Sequence, residues 1–69
     1  MTGNTVRAVR ECRVRAEMAS GLERQGQYGT AAKYWLQSAS LTRLANEAHW
    51  FESRAALCLR LAQVAPDGR

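Results

Sequence analysis

Tyr28-Gly29-Thr30-Ala31-Ala32-Lys33-Tyr34-Trp35-Leu36-Gln37-Ser38-Ala39-Ser40-Leu41-Thr42 decides the fold. Within it Tyr28, Ala31, Ala32, Trp35, Ala39 and Thr42 recur at spacings of 3, 1, 3, 4 and 3, one continuous stripe on a helix. Lys33, Gln37 and Arg43 fall on other faces. The alternation of small Ala31, Ala32 and Ala39 with bulky Tyr28 and Trp35 predicts neighbouring helices that come close, with the aromatics filling the space between them.

Upstream, Gln25-Gly26-Gln27 is a junction, and Gly26 suits the left-handed conformation that ends a helix. The residues before it predict a first helix over 5–24, capped by Asn4 or Thr5. Cys12, Arg15, Met18, Ala19 and Leu22 share one side of that helix, and Arg7, Arg10, Arg13 and Glu17 lie elsewhere. Arg15 lies inside the apolar arc, where its stem can cover carbon while its head reaches water. Glu11 stands four residues before Arg15, the favourable order for a helical ion pair. Downstream, Leu44-Ala45-Asn46 is a second junction, with Asn46 as N-cap and Glu47 at the positive helix end. The third helix carries Trp50, Phe51, Ala55, Leu57, Cys58, Leu61, Ala62 and Val64. That set covers more than half of the circumference, which one neighbouring helix cannot bury. Pro66 marks its stop, and residues 1–4 and 65–69 read as frayed tails.

The expected fold is therefore all-α: one domain of three helices with short connections, packed as successive antiparallel neighbours. With 69 residues, such a chain buries only about 60% of its unfolded surface. Domains of this size commonly rely on disulfides, metals or a partner chain. Cys12, Cys58 and the single His49 cannot supply a four-ligand zinc site. His49 and Glu52 read as a solvated pair, and no serine or cysteine has a base and an orienting group near it, so neither catalysis nor a cofactor is expected. No apolar run resembles a secretory signal or a membrane span, which predicts a cytoplasmic protein with reduced thiols. The wide apolar face of the third helix then predicts a homodimer or a bound partner. Phe51, Leu57, Leu61 and Val64 are the candidate strip. A net charge of +4, with Arg7, Arg10, Arg13 and Arg15 on the first helix, leaves phosphate contacts open as a second possibility. In the core, Tyr28, Ala31, Ala32 and Trp35 are expected to hold the central hairpin, with Trp50 locking the third helix across it.

The run Leu22-Glu23-Arg24-Gln25-Gly26-Gln27-Tyr28-Gly29-Thr30-Ala31-Ala32-Lys33-Tyr34-Trp35 resembles a tetratricopeptide (TPR) helical hairpin, in which glycine ends one helix and an aromatic opens the next. Extended through Ala39, Asn46, Trp50, Arg54, Ala55 and Cys58, it resembles the ANR family, the AraC negative regulators of Gram-negative bacteria. A looser similarity is to PerC-like transcriptional activators. The resemblance covers just over half of the chain and omits the arginine-rich first helix. It implies a small regulator, with roles in virulence control, that binds an AraC/XylS-type activator and represses it by hindering dimerisation or DNA binding. It also implies a link, as for some members of that family, to the histone-like nucleoid structuring protein. Direct DNA binding of the PerC-like sort and a generic helical adaptor are the alternative readings.

Overall fold

The computed structural model describes residues 2–64, with side chains from Val6 onward. Three helices account for nearly all of them: α1 (Thr2–Arg24), α2 (Tyr28–Leu41) and α3 (Ala45–Val64). The chain is an all-α three-helix bundle. α2 is the central element, packed along both α1 and α3, while α1 and α3 meet each other only slightly.

The first junction forms as its glycine predicts. Gly26 takes φ 81°. The Gln27 amide donates to the Leu22 carbonyl at 2.9 Å and the Gly26 amide to that of Glu23 at 3.0 Å. Those two bonds define a Schellman cap, which satisfies carbonyls that the end of α1 would otherwise leave open. α1 itself starts at Thr2, three residues earlier than expected, so Asn4 and Thr5 lie within the helix and not at its cap. No proline interrupts residues 2–5, so the helix continues through them.

The second junction differs from expectation. Thr42 leaves α2 in extended conformation, with its amide still bonded to the Ser38 carbonyl. Its hydroxyl accepts from the Leu44 amide at 3.2 Å and donates to the Glu47 carboxylate at 2.6 Å. The Ala48 amide reaches back to the Leu44 carbonyl at 2.9 Å. Leu44 therefore occupies the cap position, and Asn46 lies exposed inside the first turn of α3. The Thr42 hydroxyl, two residues before Leu44, fixes the turn by binding the Leu44 amide and the Glu47 carboxylate at once, and α3 begins before Asn46 is reached. α3 ends at Val64, two residues before Pro66, and residues 65–69 lie outside the described residues.

The core is small in both senses. Its buried apolar members are Cys12, Ala19, Ala31, Ala32, Trp35, Ala55 and Cys58, so Trp35 is the one large side chain among them. Ala16, Leu22, Tyr28, Tyr34 and Phe51 border it as partly buried neighbours. Alanine at the contacts of all three helices lets them approach closely, as the α2 stripe predicts. The inner arc of α1 is rotated from its expected setting, however. Cys12, Ala19 and the carboxylate of Glu23 face inward, whereas Met18 is 43% exposed. Helices in close contact admit small side chains at the seam and turn the long thioether out.

Candidate functional site

Glu23, the penultimate residue of α1, anchors the only ionic network that joins three helices among the described residues. Its Oε1 accepts from the Trp35 indole Nε1 at 3.1 Å, from Arg54 Nε at 3.1 Å and from the Cys58 thiol at 3.3 Å. Its Oε2 pairs with the second guanidinium nitrogen of Arg54. Burial pushes this carboxyl upward, but the bonds from Arg54, Cys58 and Trp35 outweigh it and hold its pKa below the ordinary value. Burial and then the Glu23 carboxylate push the Cys58 thiol the other way, to about 11. Cys58 is thus a protonated donor at neutral pH, with no nucleophilic character.

A second polar clasp ties α1 to α2. The Ser38 hydroxyl donates to the Cys12 carbonyl at 3.0 Å, and the Cys12 thiol donates to the Ser38 carbonyl at 3.5 Å. Ser38 is fully buried. Burial, then the nearby charge of Glu47, raises the Cys12 thiol as well. Both cysteines are free. Cys58 touches Glu23, which lies eleven residues along α1 from Cys12, about 16 Å at 1.5 Å per residue, so the two thiols belong to different ends of the bundle.

The residues singled out from the sequence separate into three groups. Leu22, Tyr28, Ala31, Ala32, Trp35, Arg54 and Cys58 form the core and its ionic lock. Arg7, Arg10 and Arg13 are exposed, while Arg15 is half-buried and pairs with Glu11 at 3.2 Å, as their spacing predicts. The third-helix strip needs one exchange. Phe51 packs on the core and stacks against Trp35 at 5.8 Å, whereas Trp50, expected to be buried, is 55% exposed and meets Trp35 only edge-on at 5.4 Å. Phe51, Ala55 and Cys58 share the arc that faces α2, and adjacent Trp50 is rotated out by that choice. The surface strip is therefore Trp50, Leu57, Leu61 and Val64, at spacings of 7, 4 and 3. Leu57 and Leu61 are half-buried and Val64 is 84% exposed.

An apolar groove of about 520 Å³ opens on another side. Its walls are the middle of α1, with Val9, Cys12 and Ala16, and the α2–α3 turn with Leu44, closed by Phe51. Arg13, Arg43 and Glu47 stand at its edge. A shallower depression continues from it over α1 through Val6, Val9, Arg10, Arg13, Val14 and Glu17.

Glu23 and Ser38 carry the interior polar structure; the hairpin motif includes Glu23 but assigns it no interior role, and Ser38 belongs to no motif. The signals were present. Glu23 lies eleven residues from Cys12 and four from Ala19, on the same inner arc, and Ser38 falls between Trp35 and Thr42 on the α2 stripe.

Among the described residues no group of His, Cys, Asp or Glu could hold a metal ion, and no helix is long and apolar enough to cross a membrane. No family model, curated protein or solved structure matches the chain. That result overturns the description of this chain as an ANR-family transcription or virulence regulator; the all-α fold is the class that stands.

Proposed function

We propose that this chain is a protein-binding module, a TPR-like hairpin (α1–α2) that carries α3 as an association helix, and that it first binds a second copy of itself. One observation supports this most: the large apolar side chains lie on the wrong side. Alanines and cysteines fill the core around Trp35, while Val6, Val9, Val14, Met18, Leu36, Leu44, Trp50, Leu59 and Val64 are each at least 43% exposed. Scattered exposed apolar residues need no explanation, but Trp50, Leu57, Leu61 and Val64 run along one face of one helix. A small core leaves the bundle short of apolar burial, and a two-fold pairing of α3 strips would supply it. Fully burying a side chain of this kind contributes about 1.5–3 kcal/mol.

The test is light scattering on a sizing column, at low and high salt, for the wild type and for Leu57→Glu/Val64→Glu. The expected wild type is a dimer at both salt concentrations, and the double variant a monomer of unchanged helicity. A wild type that stays monomeric at all concentrations, or a variant that still dimerises, would refute the assignment of the strip.

A further inference from the structure

The geometry points to a second docking surface: the groove between α1 and the α2–α3 turn accepts an acidic amphipathic helix from a partner protein. It lies on different residues from the α3 strip and does not depend on self-association.

Chemistry distinguishes the occupant. The floor is carbon: Val9, Ala16, Leu44 and the ring of Phe51. A phosphate backbone has nothing to place on such a floor, whereas the leucines of an amphipathic helix do. The rim is basic. Arg13 and Arg43 border the groove and Arg10 the adjoining depression, all three exposed. Among the described residues none of the three has a carboxylate partner, since the ion pairs use Arg15 and Arg54. One acid, Glu47, shares the rim, and a second stands near it. Glu47 is engaged by the Thr42 hydroxyl, and Glu17 lies beyond the groove, in the depression. Unpaired arginines flanking an apolar floor complement a helix with leucines on one face and carboxylates beside them. The lining on α1 runs from Ala8 to Ala16, about 12 Å, which matches roughly two turns of a docked helix.

The experiment titrates the full chain with a labelled synthetic helix of leucine and glutamate, with its lysine counterpart, and with a short DNA duplex. Anisotropy reads affinity and amide chemical shifts read the location. The glutamate peptide is expected to bind about tenfold tighter than the lysine peptide, to weaken with salt, and to shift the signals of Val9, Ala16 and Leu44. Arg13→Glu/Arg43→Glu, which alters exposed side chains only, should reverse that preference. The Leu57→Glu/Val64→Glu chain should bind like the wild type, so this result and that for self-association are read separately. Equal affinity for the two peptides, shifts confined to α3, no binding of the glutamate peptide, or tighter binding of DNA would each overturn the proposal.

Discussion

Replacing Glu23 by glutamine keeps the shape of the central lock and removes its charge. The carboxylate accepts from Trp35, Arg54 and Cys58, and glutamine retains one acceptor oxygen. Its other terminus becomes an NH2 group facing the Arg54 guanidinium, donor against donor. A hydrogen bond to a charged group contributes about 1.5–3 kcal/mol when shielded from water. The Arg54 side chain is 39% exposed and can turn into solvent, which lowers the loss on its side towards the 0–1 kcal/mol typical of surface pairs. The Glu23 side chain is 15% exposed, so the loss on its side is larger. Together these give a cost of about 2 kcal/mol for Glu23→Gln. Glu23→Ala additionally strands the indole N–H of Trp35, itself 4% exposed, and should cost about 1–3 kcal/mol more. For a 69-residue chain with a stability of roughly 3–10 kcal/mol, either loss is large.

The pH dependence separates this account from simple misfit. Because the folded pKa of Glu23 lies below its ordinary value of 4.5, the carboxylate stabilises the fold above that value and ceases to do so as pH falls through the lowered one. Urea unfolding followed by far-UV circular dichroism should show the wild type losing stability in that acid window, and the gap to Glu23→Gln closing with it. A Glu23→Gln protein within about 0.5 kcal/mol of the wild type at neutral pH, or with the same acid limb, would refute the reasoning.

Other outcomes follow from the same geometry. Cys58 should resist alkylation by iodoacetamide until the protein unfolds; its thiol stabilises the fold in full below 9.0, and that contribution should fade as pH rises towards 11, so Cys58→Ala flattens the alkaline limb of a stability–pH curve. Gly26→Ala meets no neighbouring atom but must hold φ 81°, and should cost about 1–2 kcal/mol in urea unfolding. Trp35→Ala should cost about 3–5 kcal/mol and Trp50→Ala about 1–2 kcal/mol, a ranking that equal losses in thermal or urea unfolding would contradict.

The architecture was legible wherever one side chain decides it locally. Gly26 marks the only positive-φ turn among the described residues, and the Tyr28–Trp35 spacing places α2 correctly. The Glu11–Arg15 pair also forms. Rotation about each helix axis was harder to read. Periodicity weights large apolar residues, and in this bundle the inward positions go to alanine, cysteine, serine and one carboxylate. That is why spacing alone puts Met18 and Trp50 inside and gives Glu23 and Ser38 no interior role. The exchange of Phe51 for Trp50 amounts to a single residue step, about 100° of helix rotation, which no spacing rule resolves when adjacent positions are both aromatic. The groove was not legible at all, because its walls come from α1 and from a turn whose cap differs from the one its sequence suggests.

The small core and the exposed strip have one physical origin. Alanine seams bring the helices close, and close helices leave no interior room for Met18, Trp50 or Val64. What then orients α3 is polar: Arg54 and Cys58 reach Glu23, and Ala55 between them is buried against α2. With residues 51, 54, 55 and 58 committed inward, residues 50, 57, 61 and 64 are left at the flank by helix geometry alone. A buried ionic group contributes little net stability compared with a well-fitted apolar one, so its value here lies in selecting one rotation of α3 out of several with similar apolar content. A lock of Leu at 23 and Met at 54 could match the stability and still lose that selection. In this bundle the interior charge and the surface strip are therefore a single design: the first sets the angle at which the second is displayed.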